Sequence, residues 1–258
     1  MTHVVVDTNT GNQLRSTVLR GLGATLLLHA FSITLAFAAY RYDFEVSSLP
    51  GQISIALALL CIFSPLVALL AFRNTRRFVV YGWVRLFNLL SAYTLVGITF
   101  YYFYFIFAPI PVPARTIGLL VGGILTLYWI AFSYRALSSF IKKSKFVEKA
   151  FSFSGASTQC DDKFFEILNK LYEEKNPFPA WHTWIVMGVA PFFLVLNRLL
   201  SAYFGSQGVL FFIAAITFPA SLWLLGLTVR VFVIMIQLPL SLEKSAGKPV
   251  KISTDAVF

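Results

Sequence analysis

Residues 52–72 read Gln-Ile-Ser-Ile-Ala-Leu-Ala-Leu-Leu-Cys-Ile-Phe-Ser-Pro-Leu-Val-Ala-Leu-Leu-Ala-Phe, without one charged side chain. About 20 apolar residues, rising 1.5 Å each, cross the hydrocarbon of a bilayer. A soluble domain has no room to bury such a stretch on every face. Searching outward at the same length finds five more runs. The set is Val18–Tyr40, Gln52–Phe72, Phe87–Ala108, Thr116–Leu137, Thr183–Tyr203 and Gly208–Val229. Barrel strands alternate over roughly 10 residues, whereas these runs are long and uniformly apolar. The expected fold is therefore all-α: a polytopic integral membrane protein with six transmembrane helices.

Composition agrees. Of 258 residues, 58% are hydrophobic and 12% charged, with mean hydropathy +0.76. Soluble domains carry about 45–50% apolar and about 25% charged residues. Disorder, collagen and a soluble single-core enzyme are excluded. The formal charge of +10 would suggest nucleic acid in a soluble protein. Here the positive-inside rule is a sufficient cause, and no nucleic-acid partner is expected. With the N-terminus placed inside, only Arg41, Arg115 and Arg198 of the 21 Lys and Arg residues fall outside or near it. That asymmetry predicts both termini in the cytoplasm, in a bacterial inner membrane. Val18–Tyr40 reads as a retained signal anchor, because it is longer than a typical signal-peptide core.

The chain divides into residues 1–137 (tail and four helices), 138–182 (cytoplasmic linker) and 183–258 (two helices and a tail). Within the linker, Ser152–Gln159 reads as a flexible turn. Asp161–Lys175 reads as an amphipathic helix. Phe164, Phe165, Leu168, Leu171 and Tyr172 recur on one stripe at spacings of three and four. Asn176-Pro177-Phe178-Pro179 stops it, and Trp181 and Trp184 mark re-entry into the interface. The stripe suits docking of a protein partner or a second copy, or a connector resting on headgroups or on its own bundle.

Chemistry-bearing residues are sparse. All 11 acidic residues lie outside the six spans. Carriers coupled to protons or cations usually need an intramembrane carboxylate. No HExxH, GxSxG or Walker motif occurs, so neither a metal nor another cofactor is expected, and the chain does not read as an enzyme. Cys61 and Cys160 fall in different compartments, which predicts no disulfide. His29 is the one intramembrane histidine, with Ser32 three residues on; it suits a relay or ligand, or a bond to a neighbouring helix. Asn197 and Arg198 sit near the outer end of the fifth span. They suit an anion vestibule or a lipid phosphate, or simple snorkelling. Arg85 and Arg230 read as interface anchors. The run Phe100–Phe107, seven aromatics in eight residues, reads as an interfacial aromatic belt. Gly118 and Gly122 form a GxxxG packing face. Pro65, Pro191 and Pro219 can kink their helices.

Two functions follow. The first is a non-catalytic membrane subunit or scaffold that docks a partner through its linker. The second is a passive channel or facilitator for a small anion or lipid headgroup, lined by Asn197, Arg198 and the kinked helices 5 and 6.

Overall fold

A computed structural model describes residues 9–73, 75–154, 157–160, 164 and 193–252. The protein is mostly helical. Helix α1 (Asn9–Ala36) runs on as a π-helical turn, Phe37–Asp43. Helix α2 (Leu49–Ala71) starts where the Leu49 N–H donates to Ser47 Oγ at 3.1 Å, and Pro50 occupies its first turn. Helix α3 (Phe78–Tyr93) widens into a π-helix, Thr94–Tyr102, and ends as α4 (Phe103–Phe107). Helix α5 (Val112–Lys143) follows the Pro109-Ile110-Pro111 link, where Arg115 donates to the Ala108 carbonyl at 3.0 Å. A short α6 (Phe146–Ala150) precedes the strands β1 (Phe151–Ser154) and β2 (Ser157–Cys160). Helix α7 spans Phe193–Val231, continues through π-helical Phe232–Gln237, and ends as α8 (Leu238–Ala246). Strand β3 (Val250–Ile252) closes the described chain.

Five helices among the described residues are long and apolar enough to cross a membrane: Leu14–Asp43, Leu49–Ala71, Phe78–Phe107, Val112–Lys143 and Arg198–Ala246. The expected fifth span, Thr183–Tyr203, begins outside the described residues. Within α7, Gly205 has φ +60° and ψ −156°, so two helices meet there without a helical turn between them. Only glycine adopts that conformation at little cost. The sequence reads Phe204–Gln207 as a tight turn, and the break lies within it. Most helices overrun their apolar windows. A hydropathy window stops at the first charges, whereas the hydrogen-bond ladder continues through them.

Two ends can be told apart. At one end, Leu14 and Val18 share a core with Phe78, Phe146, Phe151, Val233, Ile234, Met235 and Val250. At the other, Tyr40 packs with Phe103, Phe107, Ala108 and Phe218. The first end carries the α2–α3 connection, the hairpin and the tail, and holds most of the arginines and lysines.

Three sequence readings are corrected. Ser152–Gln159 contains a β-hairpin instead of a flexible turn: Phe151 pairs with Cys160 and Ser154 with Ser157. The third strand comes from the tail, where β3 lies parallel to β2 with Thr158 opposite Val250. The aromatic run is no surface belt. Tyr101, Phe103, Tyr104 and Phe105 are all buried, because α1, α5 and α7 converge on this segment. Arg230 is no exposed anchor. It is 9% exposed, because the helix continues beyond it into the buried run Val233–Ile236.

Successive helices reverse direction, which places the 44–48 and 143–145 connections at opposite ends. In a cysteine-depleted background, Val46→Cys and Lys143→Cys should label with an impermeant thiol reagent from opposite sides of sealed vesicles. Labelling of both from the same side would contradict the fold.

Candidate functional site

The inward face of α1 carries Gly21, Thr25, His29, Ser32 and Ala36, spaced by three or four residues so that they share one stripe. Thr25, His29, Ser32 and Ala36 are buried. The small residue at position 21 is needed, because a Cβ there would overlap the Asn88 amide of α3. Thr25 Oγ1 donates to Asn88 Oδ1 at 3.5 Å and accepts from Ser91 Oγ at 3.3 Å. Ser91 also bonds the Phe87 carbonyl at 2.9 Å and the Cys61 thiol of α2. Towards the other end, the hydroxyls of Ser32 and Thr99 lie 2.5 Å apart. His29 occupies the turn between these two groups. Both its ring nitrogens are buried without a hydrogen-bond partner, as is Ser54 Oγ on α2.

This column is made of hydroxyls, one amide, one thiol and one imidazole. Among the described residues no three His, Cys, Asp or Glu side chains gather as a metal would require. Its local chemistry is that of hydrogen-bonding glue between α1, α2 and α3. Two buried groups left unsatisfied are the exception to an otherwise closed network.

The other candidate residues are dispersed. Arg198 lies on α7 with an exposed side chain, beside exposed Val195, Leu199 and Tyr203. The Asn197 side chain lies outside the described residues. Gly118 and Gly122 are buried and pack within the protomer. A Cβ at 118 would strike the Phe105 ring, and one at 122 the Tyr101 ring. Tyr101 Oη donates to the Gly118 carbonyl at 2.9 Å, and Tyr102 Oη to that of Gly122 at 3.2 Å. Gly123 faces open space.

Of the docking stripe, Phe165, Leu168, Leu171 and Tyr172 lie outside the described residues. Phe164 is described and fully buried. Its ring centroid sits 5.2 Å from Phe78, 5.4 Å from Phe146 and 5.7 Å from Phe151, with ring planes 60–80° apart. Around this anchor lies a cap that was not recognised from the sequence. The Ile252 N–H donates to the Arg76 carbonyl at 3.0 Å. Arg77 Nη2 and Nε donate to the Glu243 carboxylate at 2.6 and 3.1 Å, and Glu243 Oε1 also accepts from the Val250 N–H at 3.0 Å. The hydrogen bonds to Glu243 raise the Arg77 pKa above the ordinary arginine value. A signal was present: Phe-Ser-Phe-Ser at 151–154 and Val-Lys-Ile at 250–252 alternate with the period of a strand.

Against known protein families, curated proteins and solved structures, the chain matches none.

An imidazole buried without partners costs roughly 1–3 kcal/mol. His29→Leu is therefore expected to raise stability by about 1 kcal/mol in thermal unfolding in detergent; a clear loss would mean that the imidazole is held by something. Gly118→Val should cost about 1–3 kcal/mol by overpacking. Gly123→Ala should stay within about 0.5 kcal/mol. Equal effects in the same unfolding assay would contradict the packing described.

Proposed function

We propose that the protein is a non-catalytic integral membrane subunit or scaffold that docks a protein partner through its linker. In this reading six helices span a bacterial inner membrane, both termini are cytoplasmic, and the basic end faces the cytoplasm. The Lys and Arg asymmetry supports that orientation.

One observation carries the docking role. The linker is fastened to the bundle at Phe164, beside a sheet that joins the linker hairpin to the C-terminal tail. A docking element works best when held at a fixed point, because less ordering entropy is lost on binding. Phe164 fixes the start of the stripe that Phe165, Leu168, Leu171 and Tyr172 continue in sequence.

The channel reading, with Asn197 and Arg198 lining a path, has a narrower support. The exposed guanidinium of Arg198 suits a lipid phosphate or an anion at the outer end. Anion flux through reconstituted protein that falls on Arg198→Ala would favour it.

The docking role is tested by Leu168→Lys with Leu171→Lys. The double variant should insert normally, keep its helical circular dichroism and lose the partner recovered with the wild type. Full partner recovery from the variant would overturn the docking role.

A further inference from the structure

A lateral groove of about 390 Å³ opens between α2 and α3, lined by Leu60, Phe63, Ser64, Val67, Phe72 and Trp83, with Val80 and Phe87 behind. Leu60, Phe63, Val67, Phe72 and Trp83 are all exposed apolar side chains. Both walls belong to helices long and apolar enough to span a membrane, so the groove opens where lipid tails lie. From Leu60 to Phe72 the α2 wall runs for about 18 Å along the helix. Those dimensions match one acyl chain laid along the bundle.

The end of the groove is charged. Arg73 follows Phe72 directly and is exposed, and Arg76 and Arg77 come next. No Asp or Glu occurs anywhere between Glu45 and Glu148. Glu243 comes in from α8, but its carboxylate is committed to Arg77 and the Val250 N–H. Arg73 is thus an exposed cation one residue beyond the lining residue Phe72, where the apolar run of α2 ends. Basic pockets between membrane helices are recognition sites for anionic headgroups, and guanidinium is suited to phosphate oxygens.

We propose that this groove is a binding site for an anionic phospholipid, with one acyl chain between α2 and α3 and its phosphate held by Arg73. The site rests on α2, α3 and the connection between them, and stands whether or not the linker docks a partner.

Trp83 is a reporter in the groove wall, stacked on Phe87 with centroids 6.1 Å apart. Full-length protein is reconstituted in phosphatidylcholine vesicles containing increasing amounts of phosphatidylglycerol with brominated chains. Brominated phosphatidylcholine serves as the control, and Trp83→Phe isolates the Trp83 emission. Trp83 should be quenched by the brominated phosphatidylglycerol at about fivefold lower mole fraction than by the brominated phosphatidylcholine, the preference expected of one arginine near a membrane surface. Arg73→Gln changes an exposed side chain and should bring the two lipids together. Equal quenching by both lipids in the wild type, no quenching by either, or a preference that survives Arg73→Gln would overturn the proposal.

Discussion

The seat of the Phe164 ring against Phe78, Phe146 and Phe151 is the contact on which the basic end depends. It brings together residues from α3, α6, β1 and the linker. Each edge-to-face pair adds about 0.5–1.5 kcal/mol beyond the area it buries. The Arg77–Glu243 ion pair is the more conspicuous contact, yet Arg77 is 46% exposed. An ion pair that open to solvent contributes roughly 0–1 kcal/mol. The rings therefore hold the cap, and the ion pair sets the register of the tail against the α2–α3 connection.

Two kinds of helix face meet in the bundle. The inner stripe of α1 is small and polar, with Thr25 bonded to Asn88 and Ser91 of α3, and Ser32 to Thr99 in its π-helical continuation. The outer faces of α2 and α5 are apolar, with Leu70 80% and Leu127 69% exposed. In water such surfaces would drive aggregation; in a bilayer they are already solvated. Apolar burial is then a weak force between helices, and close packing with interhelical hydrogen bonds does the holding. That explains why Gly118 and Gly122 admit the rings of Phe105 and Tyr101, and why the tyrosine hydroxyls reach the carbonyls beside them.

The first four long apolar helices were legible in the sequence because hydropathy reports what lipid demands of each residue singly. The aromatic run at 100–107 was misread because composition alone does not say which way a ring points: three converging helices buried residues that a belt would expose. The cap was missed for a different reason. Its strands are short, and β3 lies far along the chain from β2, so no local pattern links Val250 to Thr158. Arg230 was misread because a charge marks the edge of hydrocarbon only where the helix also ends. His29 and Ser32 were legible as a pair on one helix face, whereas Thr25 was not singled out. The partners of Thr25 and Ser32, namely Asn88, Ser91 and Thr99, required the packing of α3 against α1.

The proposed docking role rests on a fastened linker and a capped basic end. The native mass of the gently solubilised protein, with every copurifying chain identified, tests this most directly. The account predicts a complex heavier than the 28.9 kDa protomer, containing a protein partner in fixed stoichiometry. A lone protomer that carries lipid and detergent but no second protein would contradict it.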